Sequence, residues 1–100
     1  MELIILSLVE HHPRHGYEIH KLIIERAGGT FRPTIASLYP LLARLEKRGY
    51  VAAYWEKVVK RRPRKKYQLT LRGKHALDKQ MAAWNEFVLA VCQIITKELL

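Results

Sequence analysis

A mainly α fold carrying one small β-hairpin, an α+β arrangement, is predicted by three features of this sequence. Apolar residues recur at helical spacing in four separate segments. Val51–Leu69 breaks that rhythm with β-branched and aromatic residues on either side of a basic tip, as two strands and their turn would. The last 30 residues or so then return to helical spacing and hold it to the end of the chain. One hundred residues with 49% hydrophobic content suit one domain with a small core.

Glu2–Glu10 reads as a short helix that is apolar almost all round, through Leu3, Ile4, Ile5, Leu6, Leu8 and Val9. A helix without a wet face has to be covered on more than one side, which asks for a partner subunit. Pro13 and Gly16 punctuate a turn, and a second helix runs from about Gly16 to Ala27 with Ile19, Leu22, Ile23 and Ala27 inward. Gly28-Gly29 stops it. Phe31-Arg32 is extended, because a residue before proline is pushed toward the β region.

The third helix places Ile35, Leu38, Leu41, Leu42 and Leu45 on one side and Ala36, Pro40, Ala43 and Lys47 on the other, with Ser37, Tyr39 and Arg44 along the edges. Its start is open. Thr34 as N-cap leaves Pro40 inside the helix, where it should kink the axis, whereas Ser37 as cap puts Pro40 in the tolerant first turn. Gly49 closes the helix. Val51–Val59 and Lys66–Leu69 form the hairpin strands, and between them Lys60–Lys66 carries six basic residues in seven. Thr70 caps a last helix that runs toward Glu98, ~42 Å at 1.5 Å per residue. Its apolar positions Leu77, Met81, Trp84, Val88, Val91 and Ile95 are spaced 4, 3, 4, 3, 4, a heptad seam. An intramolecular seam is an alternative, but the length of the helix favours one between subunits.

Helices two and three make a helix-turn-helix, and the hairpin adds a wing. Residues 1–69 are therefore read as a winged helix-turn-helix DNA-binding domain and 70–100 as a C-terminal dimerisation helix, together one structural unit. The outward side of the third helix is small and polar where a solvated face usually carries long charged side chains, a shape that lets its axis approach a major groove. The formal charge of +9, with a sequence pI near 10.0, favours a polyanionic partner. The alternative readings of these features are an ordinary amphipathic helix and a charge excess that serves solubility.

Five stretches also resemble, in order over about residues 3–90, the successive signatures of PadR-type transcriptional regulators. They are His15-Gly16-Tyr17-Glu18-Ile19, Ser37-Leu38-Tyr39-Pro40, Leu45-Glu46-Lys47-Arg48-Gly49, Arg62-Pro63-Arg64-Lys65-Lys66-Tyr67 and Leu69-Thr70-Leu71-Arg72-Gly73. The resemblance implies a winged-helix homodimer that represses transcription from a pseudo-palindromic operator. It also implies that a small, frequently aromatic, effector loosens the complex. By that analogy Tyr17, Ser37, Tyr39, Arg62, Arg64 and Lys65 lie at the DNA surface. With Lys21, Thr34, Arg44, Lys47 and Arg61 they complete the expected DNA-binding set. The short C-terminal part is similar to the compact branch that includes multidrug-responsive repressors, where a tryptophan on the last helix lines a pore between subunits. Trp84 matches that position, and Met81 and Val88 beside it complete the expected ligand site. The expected dimer interface is Leu3, Leu6, Leu77, Met81, Trp84, Val88, Val91 and Ile95.

Two departures from the family pattern stand out. Lys60-Arg61 occupies the place of the wing's usual glycines. Leu71-Arg72 follows the capping threonine where an acidic residue is usual, which puts a cation near the positive end of the helix dipole. A nearby DNA phosphate would relieve it.

Other chemistry is thinly represented. The lone Cys92 excludes an intrachain disulfide and a Cys-based zinc finger, and reads as a small interface hydrophobe. Glu2 stands where a signal peptide wants a cation, and the longest apolar stretch, Phe87–Ile95, is too short to span a bilayer. A cytoplasmic protein with no membrane partner is expected. His11, His12, His15 and His20 straddle a turn with no cysteine or paired carboxylate to join them, so no metal is expected. No nucleophile sits with a base and an acid, and no glycine-rich phosphate loop is present, so neither an enzyme nor a cofactor is expected. The competing reading is a basic winged-helix module that binds DNA or an acidic protein without sensing a ligand, in which Trp84 is simply a large seam residue.

Overall fold

The computed structural model describes residues 1–57, 60 and 62–100. Val58 and Val59, the end of the expected first wing strand, and Arg61, an expected DNA contact, lie outside the described residues. The chain runs α1 (Glu2–Leu8), β1 (Arg14–His15), α2 (Gly16–Arg26), α3 (Ile35–Lys47), β2 (Val51–Glu56), β3 (Arg64–Leu69) and α4 (Leu71–Leu99). The expected winged helix-turn-helix is present, with one strand more than the sequence announced. The sheet is antiparallel in the order β1-β3-β2, and β3 pairs Val51↔Leu69 through Glu56↔Arg64 on one side and Arg14↔Tyr67 and His15↔Lys66 on the other. Two residues are too few to show an alternating pattern, so only the second edge of β3 creates β1.

Seven residues cannot hold α1 as an isolated helix. Tertiary contacts do so: Ile5 and Leu6 have no exposed surface, and Val9 just beyond them is also buried. The Leu69 N–H donates to the Val9 carbonyl at 3.2 Å, and Arg14 Nε donates to the Leu8 carbonyl at 2.6 Å, closing the turn before α2. At the far end of α2, Gly28 and Gly29 take φ of 59° and 84°, the left-handed backbone that a helix stop needs. His20 Nε2 lies 2.9 Å from the Pro33 carbonyl and ties α2 to the connection before α3.

Thr34 settles the start of α3. Its Oγ1 accepts from the Ser37 N–H at 3.2 Å, and the helix continues unbroken past Pro40 to Lys47. Pro40 has no N–H to give the Ala36 carbonyl, and Ala36 is exposed, so the missing bond falls on the solvent side. Leu38, Leu42 and Leu45 face inward, all fully buried.

The start of α4 is bolted to the α3–β2 turn. The Thr70 N–H donates to the Tyr50 carbonyl at 3.1 Å, while its hydroxyl lies 2.6 Å from the Gly49 carbonyl and 3.0 Å from that of Tyr50. The same oxygen accepts from the Gly73 N–H at 2.9 Å, capping the helix. Packing is so close that a Cβ on Gly73 would fall 1.9 Å from the Tyr50 carbonyl oxygen. The Arg72 guanidinium lies 5.8 Å from the centre of the Tyr50 ring, so an aromatic face also accommodates the misplaced cation within the chain itself.

The core comprises Ile5, Leu6, Val9, Ile19, Ile23, Leu38, Leu42, Leu45, Val51, Tyr67 and Leu77. Burying each large aliphatic side chain contributes about 1.5–3 kcal/mol. Leu6 and Leu77, expected at the dimer interface, are 0% and 2% exposed in the single chain. Both belong to the core of the single chain and have no surface left for a partner. Leu3 is half-buried. Among the described residues, no helix is long and apolar enough to cross a membrane.

Candidate nucleic-acid interface

With Leu38, Leu42 and Leu45 turned into the core, α3 exposes Ala36, Ser37, Tyr39, Pro40, Ala43, Arg44 and Lys47. These are the side chains expected on its outward side, but Ile35, expected inward, is also exposed at the first position of the helix. They leave a low ridge bordered by hydroxyls and cations. Ser37 Oγ donates to the Thr34 carbonyl at 2.9 Å, which orients the hydroxyl and leaves its lone pairs free to accept. Thr34, exposed beside it, is engaged as the cap of the helix.

Tyr17, in the first turn of α2, and Tyr39, on α3, are both exposed. They share a cleft of about 450 Å³ with His15, Gly16, Arg64 and Lys65, where α2, α3 and the wing meet. His15 caps α2 from this corner. Its N–H donates to Glu18 Oε1 at 3.0 Å, one half of a capping box, and its Nδ1 also contacts that oxygen. On the other side His15 Nε2 lies 3.6 Å from Glu56 Oε1, and Lys66 Nζ donates to Glu56 Oε2 at 2.8 Å. The root of the wing is thus tied to the start of α2. Partial burial pushes the Glu18 carboxyl up, but the hydrogen bonds from the His15 backbone and ring outweigh it and hold the group below its ordinary value. The hydrogen bond from Lys66 does the same for Glu56 and raises Lys66 in return.

The basic residues of the wing divide into two groups. Arg62 and Arg64 are exposed, and among the described residues no carboxylate pairs with either. Lys65, expected to act alongside them, instead donates to Glu46 Oε1 on α3 at 2.9 Å and sits 5.7 Å from the Tyr67 ring centre. Its pKa is raised, chiefly by the bond to Glu46. Lys21, on the exposed side of α2, makes only a loose i,i+4 pair with Glu25 at 4.0 Å. At the tip, Lys60 takes φ of 68° in place of the missing glycines.

Sequence reasoning did not single out Glu46, Glu56 or Gly16 as functional. The His15–Glu18 spacing carried a capping-box signal. The other contacts join residues far apart in the chain, where no local pattern reports them.

Along α4, Met81, Trp84 and Val88 fall on an exposed stripe continued by Ile95, with Val91 half-buried among them. The Trp84 and Phe87 rings lie 6.2 Å apart at 37°. Within one chain these residues make an open face and no enclosed site. Cys92 is exposed on the same helix.

Residues 5–79 match the family described as the Transcriptional regulator PadR-like family. The chain is 36% identical over 86 residues to an uncharacterized protein of Lysinibacillus sphaericus, spanning 86% of this chain and 79% of that one. Among solved structures it is similar to a PadR family transcription regulator from Clostridium difficile R20291, with a TM-score of 0.84 and 27% identity over 94% of this chain and 96% of that one. It is also similar to Bacillus subtilis PadR, solved in complex with operator DNA, with a TM-score of 0.74 and 25% identity over 80% of this chain and 45% of that one.

Proposed function

The chain belongs to the PadR-like family of transcriptional regulators, and from that premise we propose that it is a homodimeric, sequence-specific DNA-binding repressor released from its operator by a small aromatic or hydrophobic ligand. One observation carries the DNA-binding reading: Tyr39 from the outward ridge of α3, Tyr17 from α2 and Arg64 from the wing line one cleft. The ridge enters the major groove, where Ser37, Tyr39, Arg44 and Lys47 reach base edges and the adjoining phosphates. Tyr17 and the wing arginines take phosphates on either side, supplying affinity and salt dependence while α3 supplies sequence choice. The operator bound to Bacillus subtilis PadR supports the same partner here.

Dimerisation follows from the exposed stripe Met81, Trp84, Val88 and Ile95, which is too apolar to remain against water and too far from the protomer core to be covered by it. Two such helices of ~43 Å each set two copies of α3 about one turn of duplex, ~34 Å, apart. A ligand that opens this seam around Trp84 changes that spacing and weakens both half-site contacts together.

The test is selection from random DNA. The protein should enrich a pseudo-palindrome, sediment as a dimer, and release that duplex when planar aromatic compounds quench Trp84. Equal affinity for enriched and random duplexes at every salt concentration would end the repressor reading. Quenching that persists unchanged in Trp84→Ala, where Trp55 remains, would remove the ligand alone.

A further inference from the structure

Gly16 opens α2 and is buried beneath the ring of Tyr39 from α3. A Cβ at Gly16 would fall 2.7 Å from Tyr39 Cε1, 2.9 Å from Cζ and 3.0 Å from the hydroxyl oxygen. The far end of the tyrosine therefore rests against the first turn of α2, in space that exists only because residue 16 lacks a side chain. Tyr39 remains 43% exposed, on the ridge and at the edge of the cleft shared with Arg64.

We propose that Gly16 is a specificity-positioning residue: it seats the Tyr39 ring and thereby determines which base sequence α3 prefers, without touching DNA itself. The inference rests on the DNA-binding reading above. A tyrosine free to swing would meet many sequences about equally well and would lose side-chain entropy on binding any of them. One already held against a helix presents its hydroxyl at a fixed place and rejects steps that do not match.

The geometry makes this separable from folding. Gly16 has an ordinary negative-φ helical backbone, and the atoms in its way are the far end of a side chain that can rotate. Alanine is a good helix residue, so Gly16→Ala moves the ring and spares the helix. Gly73 is the contrast, because there the obstructing atom is a backbone carbonyl oxygen.

The experiment uses the full chain as wild type, Gly16→Ala, Tyr39→Ala and the double variant. It compares affinity for the duplex that wild type enriches with affinity for a random-sequence duplex of equal length. Fluorine NMR on 3-fluorotyrosine-labelled protein without DNA reports the seating of the ring, with Tyr39→Ala assigning the signal. Gly16→Ala is expected to melt cooperatively, shift the Tyr39 resonance and reduce discrimination about tenfold, the size of one mismatched base pair. Random-duplex affinity and its salt dependence should not change. In the Tyr39→Ala background, Gly16→Ala should have no further effect on discrimination, as coupled residues require.

Wild-type discrimination retained in Gly16→Ala overturns the inference, as does an equal loss in both backgrounds. A Gly16→Ala chain that no longer unfolds cooperatively also overturns it, because Gly16 is then a folding residue. A wild type that enriches no duplex sinks the DNA-binding reading and this inference together, and the two failures are thereby told apart.

Discussion

The head of the molecule and the far half of α4 treat apolar side chains in opposite ways. Among the described residues, every buried hydrophobic side chain lies between Ile5 and Leu77. Past Leu77 the helix still carries Met81, Trp84, Phe87, Val88, Leu89, Ile94 and Ile95, all exposed. The head closes its core within one chain, whereas the rod leaves its apolar side chains open, the face on which the proposed dimer rests. The molecule's extents of 63 × 30 × 21 Å reflect that division. Similar residue types are thus buried in one place and exposed in the other, and position along α4 relative to Leu77 decides which.

Damage to that junction should have the largest effect. Gly73→Ala drives a Cβ to 1.9 Å from the Tyr50 carbonyl oxygen and 2.7 Å from Leu69 Cδ1. Overpacking against backbone with no room to yield should cost about 3–5 kcal/mol, read as a fall in thermal midpoint. A midpoint within a few degrees of wild type would mean that α4 is not bolted to the head at all.

Next come paired substitutions on the two sides of the boundary. Leu77→Ala should lower stability by about 2–4 kcal/mol by opening a cavity in the head, and should leave the oligomeric state alone. Ile95→Lys, on the exposed stripe, should shift sedimentation toward a single subunit while the head stays folded. If both variants change association, or neither does, the contrast between head and rod disappears.

How much of this is legible in the sequence divides along the same boundary. The inward side of α3 can be read from spacing, because Leu38, Leu42 and Leu45 repeat at helical intervals and local geometry permits one buried face. The Thr70 cap and the Gly28-Gly29 stop are equally local. Spacing places Leu77 in the same heptad series as Met81 and Ile95, yet only the first turns of α4 reach the head. Periodicity says that a residue will be buried and is silent about by what, so it groups Leu77 with the exposed stripe. Leu6, expected at the interface because α1 is apolar almost all round, is likewise buried within the single chain. The start of α3 stays open in the sequence because Thr34 and Ser37 are both good caps, and only the observed Thr34–Ser37 hydrogen bond separates them. The seat of Tyr39 on Gly16 and the clasp of Lys65 by Glu46 are contacts between distant segments, and a charge run such as Lys60–Lys66 does not disclose which of its members is already paired.

The clasp gives a smaller effect, within the head alone. Removing one cation that neutralises a phosphate should reduce the slope of log affinity against log salt by about 0.9. Arg62→Ala and Arg64→Ala should each approach that figure, whereas Lys65→Met should fall well short of it because Glu46 already occupies the ammonium. Glu46→Gln should steepen the slope, since it frees Lys65 and removes a negative charge beside the interface. Equal slopes for all three cation variants would return Lys65 to the set of direct phosphate contacts.

The smallest expected effect concerns acid, and it also belongs to the head. Glu18 and Glu56 both titrate below their ordinary value of 4.5 in the folded chain. A carboxyl depressed by folding binds its proton more readily when unfolded, so its contribution is fully present above that ordinary value and is lost as pH falls through the lower folded value. Thermal midpoints should therefore decline as pH drops below about 4.5, and Glu18→Gln and Glu56→Gln should each flatten part of that decline. Exposure and salt screening keep the effect small. Lys66, raised by the same Glu56 contact, gives the mirror image. Its contribution is present below its ordinary value and lost as pH rises through the folded one, so Glu56→Gln should flatten the alkaline limb as well. A Glu56→Gln variant that flattens only one limb would show that the Glu56–Lys66 pair does not hold the root of the wing, which would then rest on the apolar core beneath it alone.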